Sequence, residues 1–277
     1  MPTHARTLTV LLAALSFVVP ASAHDGLHEA IASFDARIER APDDVGLLLA
    51  RGDLHRRHQA WGAAFEDALR VRQLSPDDDA CLLLRAMLHA DLDWAETALP
   101  LLDAYLARQA DDLDARWLRG EVRSRLGDID GALLDWDTVI AARERPSPDE
   151  YVARADLLAT IGSESLALAL SGLDEGIARL GAPAALQLRA IDLEVERGET
   201  DAALARLTTL EARSERRERW LAQRGDILMR SGRTREALVA FRDAAAAIDA
   251  LAARHRKTQA VRDLADHVAR RLAELEA

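Results

Sequence analysis

The chain has 277 residues, a formal net charge of −11 and a single cysteine. The acidic balance disfavours polyanionic partners, so nucleic acid and anionic lipid surfaces are excluded as primary targets. One thiol, Cys81 beside Leu82, Leu83 and Leu84, excludes an internal disulfide framework and reads as a packed side chain.

Residues 1–23 read as a secretory signal. His4 and Arg6 give a polar, positive start, residues 8–19 form a mostly apolar run, and Ala21-Ser22-Ala23 supplies an A-x-A cleavage site. The run is short for a membrane span, and no later segment is long and apolar enough for one. On this reading the mature domain is 24–277, begins at His24, is periplasmic or secreted, and keeps no stable membrane insertion.

From residue 45 onward two features recur in step. An Arg precedes a small residue at Arg51-Gly52, Arg85-Ala86, Arg119-Gly120, Arg154-Ala155, Arg189-Ala190 and Arg224-Gly225, at steps of 34, 34, 35, 35 and 35 residues. A second small residue follows 12 or 13 positions later, at Ala64, Ala98, Ala132, Ala167, Ala203 and Ala237. An interval of this size holds two helices of about 12–15 residues with two short connections. The small residues mark where the two helices of each hairpin cross closely. Gly127-Asp128, Gly162-Ser163, Gly198-Glu199 and Gly232-Arg233 are turn signals within hairpins. Pro42-Asp43-Asp44, Pro76-Asp77-Asp78-Asp79 and Pro148-Asp149-Glu150 separate hairpins, Pro stopping one helix and Asp capping the next.

The last segment differs. Val261, Leu264, Val268, Leu272 and Leu275 fall three or four apart, opposite Arg262, Asp266, Arg270 and Glu274. This amphipathic helix, about 256–277, is expected to cover the apolar face of the final hairpin. The local basic run 253–257 ahead of it reads as a solvated junction.

The pattern resembles the tetratricopeptide repeat (TPR) family. Its small residue, turn Gly, Ala and aromatic stand at Gly120, Gly127, Ala132 and Trp136, and again at Gly225, Gly232, Ala237 and Phe241. Leu102, Ser171 and Leu207 replace the aromatic in three repeats, and the fifth carries one extra residue before Gly198. Ala30, Phe34 and Pro42 fit the second half of a repeat, giving a half-repeat at 27–42 ahead of repeats at 45–245. The resemblance implies an all-α fold: a right-handed α-solenoid of about six hairpins, with the half-repeat before them and the capping helix after.

It also implies a role. Such arrays bind extended segments along a concave surface lined by first helices. Carried onto this chain, the lining is Leu49, Asp53, Leu83, Met87, Trp117, Glu121, Val152, Asp156, Gln187, Ile191, Asp226 and Met229. The set is apolar and acidic, and lacks the Lys and Asn pattern by which some members hold a C-terminal carboxylate. It suits a protein or peptide segment with apolar anchors and Lys or Arg. Trp117 is the expected hot spot. The expectation is a non-catalytic scaffold of the bacterial cell envelope, without cofactor or catalytic residues. No HExxH, phosphate loop, nucleophile elbow or paired-Cys site occurs.

Two further patterns carry chemistry. The repeated Arg residues form a ladder that either binds a polyanion or ties hairpins to carboxylates. Asp67 and Asp135, at matching places in two repeats, favour ties. A metal-binding alternative, for copper or zinc, uses His24 at the mature N-terminus with His28, or a patch of His55, His58 and His89 with Asp91 or Asp93.

Overall fold

The computed structural model describes residues 21–277, with side chains from residue 26 onward. The apolar run 8–19 and the His24 side chain lie outside the described residues. Every helix or strand assigned among the described residues is helical. A first helix, α1 (Ala21–Ile38), precedes six helical hairpins. They are α2 (Val45–Arg57) with α3 (Trp61–Leu74), α4 (Asp79–Asp91) with α5 (Ala95–Leu106), and α6 (Leu113–Arg125) with α7 (Ile129–Ala142). Then come α8 (Pro148–Ile161) with α9 (Leu166–Leu180), α10 (Ala184–Glu196) with α11 (Thr200–Ala212), and α12 (Glu218–Arg230) with α13 (Thr234–Asp249). A short α14 (Ala253–Arg256) leads into α15 (Gln259–Glu276). No helix of the described residues is long and apolar enough to cross a membrane.

Local chemistry sets the helix limits. Asp44 and Asp78 accept from the backbone N–H of Leu47 and Cys81 at 3.0 and 2.9 Å, satisfying otherwise orphaned donors of α2 and α4. Ser147 and Glu150 form a reciprocal capping box around Pro148, the first residue of α8. Each hairpin turns through a residue of positive φ: Gln59, Asp93, Gly127, Gly162, Gly198 and Gly232. The first two hairpins do this without Gly, so the Gly turn signal is absent there although the turn is the same.

The chain divides into two compact units, residues 1–118 and 119–277, with the boundary inside α6. In the first, Ala64, Ala68, Leu84 and Leu88 form one cluster, and Leu48, Val71 and Cys81 another. The Cys81 thiol is buried and donates to the Ala68 carbonyl at 3.3 Å, while burial pushes its pKa up. In the second unit, α8, α9 and α10 share a core of Tyr151, Ala155, Leu158, Ala169, Leu173, Leu186 and Ala190. Phe241 organises the last core, against which Val261 and Val268 of α15 pack. The terminal amphipathic helix therefore covers the final hairpin, as its apolar stripe requires.

The small residues sit at close crossings. A Cβ on Gly120 would stand 2.5 Å from the Trp136 ring nitrogen, and one on Gly52 would stand 2.9 Å from Leu84 Cδ2. Ala64, Ala98, Ala132, Ala203 and Ala237 are all fully buried. Ala167 is not: it is exposed, and Ala169 takes the buried place. Gly162 and a 3₁₀ turn at Ser163–Ser165 insert extra backbone before α9 and shift its register by two residues relative to the repeat.

Candidate functional site

Two adjoining clefts lie on the first unit. On α2 and α4, residues three or four apart share a helix face. Leu49, Ala50 and Asp53 thereby meet Ala80, Leu83, Leu84 and Met87 around a cleft of about 270 Å³. Leu83 and Met87 also line a second cleft of about 360 Å³, closed by Ala115 and Leu118 of α6. Its rim is Arg56, Asp91, Asp112 and Asp114. Leu83 and Met87 thus form a ridge common to both. Leu83 is anchored beside Tyr105, Leu106 and Ala115, and Met87 beside Leu84 and Leu88, so the apolar floor is rigidly backed.

The rim is charged and organised. Arg56 donates to Asp91 at 2.6 Å and to Asp53 at 3.0 Å. Burial works against its charge, but the Asp91 and Asp53 bonds outweigh burial and raise its pKa. Arg57 adds a 2.7 Å pair to Asp53. Asp112 accepts from the backbone N–H of Asp114 and Ala115 at the start of α6, and from the Tyr105 hydroxyl at 2.7 Å. Burial, then the Asp112 bond, pushes the Tyr105 phenol up to about 12, so it remains a donor. The lining of the larger cleft carries one guanidinium, Arg56, and three carboxylates, Asp91, Asp112 and Asp114, beside its apolar floor.

Of the residues expected to line a concave surface, Leu49, Asp53, Leu83 and Met87 come together here. Trp117 is partly exposed on α6, but the cleft takes Ala115 and Leu118 from that helix. In the second unit the expectation needs correction. Ile191 is 1% exposed, packed with Ala203, Leu207, Leu210 and Ile227, and Gln187 is buried on the same helix face. Neither offers a surface to a partner. Asp226 is held by α15, accepting from His267 Nε2 at 2.8 Å and Arg271 Nε at 3.2 Å, and Met229 packs into the same covered core. The expected negative potential is also largely met from within. Asp156 receives Arg189 at 2.5 Å, Asp53 receives Arg56 and Arg57, and Glu121 likewise has a partner. Val152 packs against the core of α8 to α10.

Sequence reasoning did not single out Arg56, Asp112, Asp114, Ala115 or Leu118. One signal was available: Arg56 and Asp91 are 35 residues apart, one repeat interval, so the stacking of hairpins brings them together.

The Arg ladder is mostly structural. Arg51 forks onto Asp67 at 2.9 and 2.5 Å and also reaches Asp35. Arg119 forks onto Asp135 at 2.8 and 2.6 Å. Arg154 pairs with Asp137, Arg189 with Asp156, and Arg224 with Glu211. Arg85 has no ion pair among the described residues. Sixteen positions on, where Arg51 and Arg119 find Asp67 and Asp135, the chain carries Leu101 and no carboxylate.

The proposed histidine patch does not assemble. His89 lies between Phe65 and Trp94, with ring centroids 5.4 and 5.5 Å away, and its pKa is lowered by burial and by Arg85. His58 meets His28 instead. Among the described residues no group of three or more His, Cys, Asp or Glu is placed to hold a metal ion.

Comparison with known proteins identifies the fold. No protein-family model and no curated protein matches the chain in sequence. Solved structures do match in shape. A tetratricopeptide repeat protein from Parabacteroides merdae is 18% identical, with a TM-score of 0.54 over 90% of this chain and 94% of that one. The C-terminal part of a TPR repeat-containing protein from Cytophaga hutchinsonii is 11% identical, with a TM-score of 0.65 over 87% and 95%. PilW, a type IV pilus biogenesis factor, is 17% identical, with a TM-score of 0.59 over 69% and 87%. The chain has the all-α fold of tetratricopeptide repeat solenoids.

Proposed function

We propose that the protein is a non-catalytic interaction module that receives a protein segment on the α2–α4–α6 face of its first unit. The carrying observation is the pair of apolar clefts sharing Leu83 and Met87 beneath a rim in which Asp91, Asp112 and Asp114 outnumber Arg56. Two apolar hollows on neighbouring helices suit two side chains of one segment, and the rim favours Lys or Arg beside them. Burial of an apolar anchor supplies affinity, and the rim supplies orientation and salt dependence.

The test uses random peptides displayed on phage and selected against the protein at low salt. Selected peptides are expected to carry a large apolar residue flanked by Lys or Arg. They should bind about tenfold or more weakly to Leu83→Ser and Met87→Ser, a loss of at least ~1.4 kcal/mol, while unfolding midpoints confirm that both variants fold. Enrichment of acidic peptides, or binding unchanged in both variants, would exclude this face.

Export belongs to the same proposal, supported by the apolar run at 8–19 and the Ala21-Ser22-Ala23 site. Intact-mass measurement of the exported protein should give a chain starting at His24. An unprocessed N-terminus on exported material would refute the cleavage.

A further inference from the structure

We infer that His28 and His58 form a binding site for a divalent transition-metal ion, of the class of Zn²⁺, Ni²⁺ or Cu²⁺, that fastens α1 to the first hairpin. The two residues lie 30 apart in sequence, yet their Nε2 atoms stand 3.1 Å from one another. The ring centroids are 4.4 Å apart and the planes are inclined at 66°. An imidazole nitrogen binds zinc at about 2.0–2.1 Å, so two such bonds at angles between a right angle and the tetrahedral angle separate the nitrogens by about 2.9–3.4 Å. The observed spacing falls in that range. An ion between the rings would replace the single imidazole–imidazole hydrogen bond with two donor bonds.

The surroundings suit an ion. His28 is exposed on α1, so water has access to the remaining coordination positions. His58 is held at the end of α2, where its backbone N–H donates to the Leu54 carbonyl at 2.9 Å, immediately before the turn at Gln59. One ligand is therefore fixed by the hairpin and the other is carried by α1, and coordination joins the two. Imidazole is a borderline ligand that selects late first-row ions over magnesium or calcium. The inference is independent of the clefts on α2, α4 and α6.

Calorimetric titration of ZnCl₂ and NiCl₂ into the metal-stripped full chain, free of any histidine tag, tests it. One ion per chain is expected to bind saturably and to raise the unfolding temperature. Loss of one ligand should weaken binding by at least the tenfold or so that outer-shell losses cost, so His28→Gln and His58→Gln should each do so. His55→Gln and His89→Gln should bind as the parent does. Binding should also weaken as pH falls, because protons compete for the same nitrogens. Absence of saturable binding would overturn the inference, leaving a hydrogen-bonded histidine pair. So would binding that survives both His28→Gln and His58→Gln. The metal-induced rise in unfolding temperature should vanish in His58→Gln; a rise that persists would place the ion elsewhere and refute the clamp.

Discussion

Replacing Asp135 by Ala is expected to destabilise the second unit by about 3–5 kcal/mol, the scale of breaking a buried ion pair by removing one partner. Asp135 lies on α7 with 1% of its side chain exposed. It accepts the fork of Arg119 at 2.8 and 2.6 Å and a third bond from Arg123 at 2.9 Å. Such paired, charge-assisted bonds hold geometry tightly. Truncation would remove the buried carboxylate that Arg119 and Arg123 share, leaving Arg123 with the Gly131 carbonyl at 3.3 Å and the more distant Asp128 at 3.6 Å. Arg85→Met is the matched control. Arg85 occupies the same repeat position on α4, but Leu101 stands where the carboxylate would be, so the change should stay within about 0.5 kcal/mol. Urea unfolding followed by far-UV circular dichroism gives both values, with separate transitions fitted for the two units if they resolve. Equal effects for the two variants would show that the ladder does not tie hairpins together.

Phe241→Ala should cost about 3–5 kcal/mol, since the ring is fully buried at the centre of the last core. Gly225→Val should cost about 1–3 kcal/mol for a different reason. A Cβ at Gly225 would sit 2.7 Å from two atoms of the Phe241 ring and 2.8 Å from a third, so α12 and α13 would have to separate. The two sites are therefore coupled. In the double variant the added methyl groups enter the space the ring has vacated, and the total loss should fall short of the sum by about 0.5 kcal/mol or more. Because Phe241 also supports Val261 and Val268, Phe241→Ala should loosen α15, seen as faster amide exchange along it. Strict additivity, with no change in exchange of α15, would mean that ring and glycine do not share one contact.

Much of the architecture was legible because a repeat states its contacts several times. An interval of 34 or 35 residues, with a small residue on each helix, can be satisfied by stacked hairpins, and Gly120 against Trp136 and Gly225 against Phe241 are those contacts. The Asp caps at Asp44 and Asp78 and the apolar stripe of α15 were equally readable, since each depends on neighbours along the chain. Leu49 with Asp53 on α2 and Leu83 with Met87 on α4 are each four apart, which keeps each pair on one face of its helix, and these four of the twelve expected lining residues meet around one cleft. What depended on how helices approach one another was not readable. The 3₁₀ turn before α9 moved the buried small residue from Ala167 to Ala169, and Ile191 went to the core. Charge could be counted in the sequence but not paired. Long Arg side chains reach several carboxylates, and only the packed helices decide that Arg189 takes Asp156 or that α15 takes Asp226. For the same reason the close approach of His28 and His58 belongs to the tertiary structure alone: it depends on the angle at which α1 meets the end of α2, which no spacing along the chain records.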